Sequence, residues 1–316
     1  MSPRAAAGLL LPALAGLWLL APAACAQTQA ATLQKAVALE AATLYLKPDA
    51  SSARVGSVRP GMDIGIQSHS GDFVEVFSGV SGWMPAHGFV ALDDPEAPEV
   101  IFGAAAQLEN LAESASGEDQ AADDAARLYL SIYGDFPASA RAAEALYRGA
   151  NIRWQLQLSE EPTRRTPEER QFPDDNLMRR VIGKYKDSPW AARADYQLII
   201  VHFTCGSWFE KPQCLEKEIG RYQDYVKKYP HSPNAAEAAY DALWREGIAW
   251  TLYRRPGPGA DPGKTAQLAH NAARDAATLQ RLYPNTDWAA LAALVAFHLD
   301  HQTPLKLPST TPLGGP

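Results

Sequence analysis

Four times the chain repeats one short pattern. Phe136-Pro137-Ala138-Ser139-Ala140-Arg141-Ala142-Ala143 returns as Tyr185-Lys186-Asp187-Ser188-Pro189-Trp190-Ala191-Ala192. It returns again as Tyr229-Pro230-His231-Ser232-Pro233-Asn234-Ala235-Ala236, and last as Tyr283-Pro284-Asn285-Thr286-Asp287-Trp288-Ala289-Ala290. Each copy is an aromatic residue with Ser or Thr at +3 and an alanine pair at +6 and +7. Copies begin at 136, 185, 229 and 283, with steps of 49, 44 and 54 residues. Self-similarity on this scale predicts a stacked repeat array rather than one enzyme domain.

The pattern has a direct physical reading. The aromatic residue closes one helix, and proline beside it, present in three copies, cannot continue that helix. Ser139, Ser188, Ser232 and Thr286 are expected as N-caps of the next helix, offering an oxygen to its orphan N–H groups. Pro189 and Pro233 suit the first helical position, where no N–H is needed. The alanines allow a neighbouring backbone to come close. Tyr147, Tyr196, Tyr240 and Leu294 follow at +11, and Ala150, Ile199, Leu243 and Phe297 at +14. From the second alanine those steps trace one helix face, expected to be buried.

The 316 residues suffice for a domain plus an array. A net charge of −7 excludes general nucleic-acid binding. The N-terminus reads as a targeting segment over 1–26: Arg4 is its positive region, Ala5 to Ala24 its apolar stretch, and Ala24-Cys25-Ala26 a small-residue cleavage site. Periplasmic or secreted placement is expected. Cys25 offers the alternative of lipidation, which would make this an outer-membrane lipoprotein. Membrane association is expected only in that case.

Short strands and tight turns are predicted for 37–93. Leu44-Tyr45-Leu46, Val55 to Val58, Ile64 to Ile66, Phe73 to Phe77, Ser81 to Met84 and Gly88 to Val90 alternate with turn signals at Pro60-Gly61 and Ser70-Gly71-Asp72. Strands this short suggest a small all-β barrel. The Gly71-Asp72-Phe73-Val74-Glu75-Val76 run and the Gly82-Trp83 pair resemble a bacterial SH3 domain of the SH3b type. The resemblance implies binding of cell-wall peptides or other envelope partners. Trp83 and Phe73 are expected in the barrel core.

Asp93 to Pro98 reads as a polar linker that leaves barrel and helices separable. Helical hairpins are expected over 101–300, with a disordered Pro- and Gly-bearing tail over 303–316. The run aromatic-Pro-x-Ser-Pro-x-Ala-Ala is similar to tetratricopeptide-like envelope proteins, of the type of the outer-membrane assembly lipoprotein or the Tol-Pal coordinator. The expected fold class is therefore multidomain: a small SH3-like barrel, then an all-α tetratricopeptide-like array.

Cys205 and Cys214 bound a ten-residue stretch, and a disulfide suits an exported chain. No P-loop, dinucleotide fingerprint, G-x-S-x-G or H-E-x-x-H occurs. No cofactor or metal is expected, and no catalytic set is visible. The expected role is a non-enzymatic scaffold or adaptor binding an envelope protein or cell-wall peptide. The alternative is a cell-wall hydrolase or a regulator that recruits one. By resemblance the helices after the four anchors line a groove. One position past the +14 residues lie Asn151, Ile200, Trp244 and His298, the expected partner-binding residues.

Overall fold

The computed structural model describes residues 33–114, 119–164, 174–201 and 212–306. Expectations for residues 1–32 (the targeting segment and Cys25), Cys205, the side chain of Ile200, and the tail from 307 lie outside the described residues. Residues from Leu33 onward form one compact unit: an antiparallel sheet followed by helices.

Among the described residues seven strands make the sheet: β1 (Gln34–Ala38), β2 (Ala42–Tyr45), β3 (Arg54–Val58), β4 (Asp63–Ser70), β5 (Phe73–Phe77), β6 (Ser81–Pro85) and β7 (Phe89–Ala91). Their order is β3-β2-β6-β5-β4-β1-β7. The ladder does not close, so β3 and β7 are edges where a closed barrel would have none. β1 begins at Gln34, ahead of the 37–93 stretch in which the sequence predicted strands. It lies between β4 and β7. Ala36, Val37 and Ala38 are all fully buried. Ala36 and Ala38 join the sheet's own core with Leu44, Ile64, Val74, Val76 and Met84. Val37 faces the other way, into the helices.

Two expected core residues are not core. Along β5, Val74 and Val76 point inward, so period-2 alternation sends Phe73 to the outer face. Along β6, Gly82 and Met84 take the inside and Trp83 the outside. Both aromatics are half-buried.

Among the described residues the helices are α1 (Ala97–Ala112), α2 (Asp119–Asp135), α3 (Ala142–Arg164), α4 (Asn176–Lys184), α5 (Pro189–Val201), α6 (Pro212–Lys228), α7 (Ala235–Tyr253), α8 (Pro262–Leu282) and α9 (Asp287–Asp300). Consecutive helices pack together, and α3 also touches α5, as α7 touches α9.

The anchors are structurally equivalent. In each, the aromatic residue directly follows a helix and donates its N–H to the carbonyl four residues back. The bonds run Phe136 to Ile132 (2.9 Å), Tyr185 to Val181 (3.0 Å), Tyr229 to Tyr225 (2.8 Å) and Tyr283 to Leu279 (2.9 Å). The +3 residue then donates to the aromatic carbonyl, and the +6 alanine to the +3 carbonyl, at 2.8–3.2 Å in all four copies. The N-cap expectation is met at Ser188, whose Oγ accepts from Ala191 N (3.2 Å), and at Thr286, whose Oγ1 accepts from Ala289 N (3.3 Å). At Ser139 and Ser232 the backbone makes one extra turn, and the helices start at Ala142 and Ala235. Ser139 Oγ accepts from Arg141 N (3.1 Å). Ser232 Oγ instead bonds the Tyr225 hydroxyl (2.9 Å).

Copies are also tied to each other. Tyr147 stacks on Trp190, and Tyr240 on Trp288, each pair with centroids 5.4 Å apart and planes 30° apart. In both pairs the +11 residue of one copy meets the +5 residue of the next. The hydroxyl of Tyr185 reaches back to Pro137 O (3.5 Å), and that of Tyr283 to Pro230 O (3.0 Å). The burial expected at +11 and +14 holds for Tyr147, Tyr196, Ala150, Ile199 and Leu243, and in part for Tyr240. It fails in the last copy, where Leu294 and Phe297 are each 52% exposed.

The sheet and helices share a core. Val37 and Val90 pack in one cluster with Ala97, Ile101, Ala105, Leu128, Tyr129, Ile132 and Ala145. The expected linker runs straight into α1 at Ala97, with Asp94 Oδ1 accepting from Glu96 N (2.9 Å). Arg59 donates to Asp124 Oδ1 (2.7 Å), a carboxylate only 8% exposed. Gly61, at φ +76°, seats its turn on α2; a Cβ there would lie 2.7 Å from the Arg127 carbonyl carbon. Only glycine fits both that conformation and that approach.

Tail residues 303–306 are held rather than free. Leu305 is buried, its N–H donates to Thr251 Oγ1 (3.1 Å), and its side chain fills the space a Cβ on Gly247 would need.

Candidate partner-binding surfaces

The four expected groove residues fall on α3, α5, α7 and α9. Asn151 on α3 is half-buried, and its Oδ1 has no hydrogen-bond partner among the described residues. Trp244 on α7 is half-buried against the cluster formed by α7, α8 and α9, with the Arg245 guanidinium 5.7 Å from its ring centroid. His298 on α9 engages the Thr303 hydroxyl through Nδ1 (2.9 Å).

Separately, α4, α5 and α6 enclose a groove of about 260 Å³. Arg179, Asp195, Ile199, Arg221, Asp224 and Lys228 are among its lining residues. Lys228 Nζ donates to Asp195 Oδ2 (2.7 Å). The rim therefore carries both signs of charge over an apolar floor, a lining suited to polar backbone groups as much as to side chains.

Beneath the surface two polar networks pin the array. On α7, Arg245 donates to Glu218 Oε2 (2.7 Å) and Asp241 Oδ1 (3.0 Å), and its guanidinium lies 4.5 Å over the Tyr222 ring. Tyr196 donates to Asp241 Oδ2 (3.0 Å); burial, then the charge of Asp241, raises that phenol far above its ordinary range. Next to Arg245, Glu246 is 1% exposed. Gln223 Nε2 donates to its Oε1 (3.0 Å), and its Oε2 has no hydrogen-bond partner among the described residues. Burial, reinforced by the nearby Asp275 carboxylate, pushes Glu246 up to about 8. Between α1, α2 and α3, Glu109 accepts from Tyr129 (2.7 Å) and Arg148 (2.8 Å). These networks bridge neighbouring helices.

A surface the sequence did not flag lies on the outer face of the sheet. Tyr45 and Trp83 are register partners across β2 and β6, as are Phe73 and Pro85 across β5 and β6. Tyr45 meets Phe73 edge to face, with centroids 6.4 Å apart. Alongside is a groove of about 180 Å³ bounded by Glu40, Thr43, Tyr45, Pro85, His87 and Gly88. The missing signal was alternation counted from Val74 and Met84, which already places Phe73 and Trp83 outside. Half-exposed flat rings beside a carboxylate suit an extended chain that can stack and donate hydrogen bonds.

Among the described residues no three His, Cys, Asp or Glu group to hold a metal ion, and no helix is long and apolar enough to cross a membrane. Cys214, in the first turn of α6, is disulfide-bonded. Pairing with Cys205 would close ten residues and contribute about 2.7 kcal/mol by loop entropy. Thiol labelling of unreduced, denatured protein is expected to modify neither Cys205 nor Cys214; labelling at both would refute the pairing.

No protein-family model matches the chain, and no curated protein matches it. A solved structure described as "DHF58 filament" aligns at 16% identity over 65% of this chain and 91% of that one, with a TM-score of 0.23, too low to carry any argument.

Proposed function

We propose that the protein is a non-enzymatic adaptor of the bacterial cell envelope. In this reading an SH3b-like sheet and a tetratricopeptide-like array each present a binding surface. The supporting observation is the fourfold anchor, with the same three backbone bonds in every copy and the same Tyr-on-Trp stack at two junctions. Repeats held at fixed pitch create extended surfaces for peptides or protein segments. The partner is an envelope protein or a cell-wall peptide, with the Tyr45, Phe73 and Trp83 row as the sheet's contribution. The protein works in the periplasm or outside the cell, or on a membrane if Cys25 carries lipid.

The test is capture from envelope extract with the full chain and with Trp83→Ala and Asn151→Ala variants, alongside a peptidoglycan hydrolysis assay. Specific capture, weakened by at least one variant whose melting temperature is unchanged, is the expected result. Hydrolysis by the purified chain would overturn the adaptor reading.

A further inference from the structure

The two ends of the array are finished differently. At the N-terminal end, Ile101, Leu128 and Ile132 are covered by the sheet through Val37 and Val90. At the C-terminal end, α9 shows Leu291 (37% exposed), Leu294 and Phe297 (52% each). A terminal repeat facing water is normally polar on its outer face, and this one departs from its own siblings in the opposite direction. The +8 position is Glu144, Arg193 and Glu237 in the first three copies and Leu291 in the last. The residue before the aromatic is Asp135, Lys184 and Lys228, then Leu282, which is 52% exposed. Charges have become leucines in the last of the four copies.

The α9 face is also symmetric about Leu294. Three residues either side stand Leu291 and Phe297, four either side Ala290 and His298, and seven either side Asp287 and His301. All lie within one stripe at 3.6 residues per turn. In an antiparallel pair centred on Leu294, each Leu291 meets the other chain's Phe297. The small Ala290 makes room for His298, and the acidic Asp287 lies opposite the basic His301. Asp300 falls well off the stripe. Such self-complementarity is what a two-fold interface requires.

We propose that α9 is a homodimerisation face, pairing antiparallel with α9 of a second copy about a two-fold axis at Leu294. Head-to-tail stacking of copies is closed off, because the sheet already occupies the other end of the array. The chain's own tail touches the edge of this face where Thr303 meets His298 (2.9 Å), then turns away to seat Leu305 against Gly247 and Thr251.

Sedimentation equilibrium of the full chain over a concentration series tests this. The expected result is a mass twice that of one chain, falling to one in Leu294→Asp with the helical circular dichroism of the folded chain retained, since Leu294 is exposed in the single chain. Under mild oxidation Leu294→Cys should cross-link to itself, and Leu291→Cys should cross-link to Phe297→Cys in a mixture of the two. A chain monomeric throughout, or a dimer that Leu294→Asp leaves intact, overturns the proposal. So does hydrogen exchange showing the 291–297 amides protected in a monomer and deprotected on deleting 307–316, which would make the tail the occupant.

Discussion

At pH 8.5 the Glu246→Gln variant is expected to be more stable than the parent by about 3 to 5 kcal/mol, and at pH 4 the two should be equal. Glu246 is 1% exposed and has one oxygen without a partner, so its charged form is disfavoured in the folded protein. Its folded value near 8 lies above the ordinary 4.5. The folded state therefore holds the proton over a range in which the unfolded chain has released it. Stability is fully present below pH 4.5, declines through the interval, and is lost as pH passes 8. Each unit of separation is worth about 1.4 kcal/mol. Glutamine keeps the shape and accepts from Gln223 without ever ionising. Urea titrations at several pH values will show parent and variant curves diverging above pH 5. Parallel curves would mean that Glu246 is ionised and solvated.

A chain starting at Pro98 is expected not to fold cooperatively. It loses Val37 and Val90 from the cluster that holds Ile101, Leu128 and Ile132. Each fully buried valine is worth about 1.5 to 3 kcal/mol. It also strips Arg59, 37% exposed, from Asp124, which keeps Arg127 at 3.7 Å, a loss of about 1 kcal/mol. Together these approach the lower end of an ordinary domain's stability. Thermal circular dichroism should show a broad, early transition; a sharp melt like that of the full chain would mean the helices stand alone. The sequence suggested the opposite, since Asp93 to Pro98 has a linker's composition. Composition reports how a segment is solvated, and says nothing of what its two neighbours bury against each other.

What could be read in advance was what short-range chemistry controls. Proline beside an aromatic, a hydroxyl at +3 and small residues after it determine local backbone geometry. The four anchors follow that geometry, apart from an extra turn at Ser139 and Ser232. Long-range features were hidden. Ala36-Val37-Ala38 shows no alternation, because β1 is covered on both faces, so no strand pattern marked it. Leu294 and Phe297 have the spacing of core residues and are exposed, because periodicity identifies an apolar face without showing what covers it. Of the expected groove residues, Trp244 lies half inside the packing and His298 is engaged with Thr303. One position along a helix is a 100° turn, and the packing angle of the next helix decides where that turn points.

The anchors bear on how the array can vary in size. Each anchor is locked by the same bonds, yet the copies are spaced 49, 44 and 54 residues apart. Packed neighbours joined by short turns alternate in direction, so every anchor sits at one edge of the array. Variation in length then shows at the other edge, where the helices run on to different extents: α7 and α8 have 19 and 21 residues, α5 and α6 only 13 and 17. One margin behaves as a fixed spine and the other as a fringe. Residues can be added to the fringe without altering the pitch at which the next copy docks.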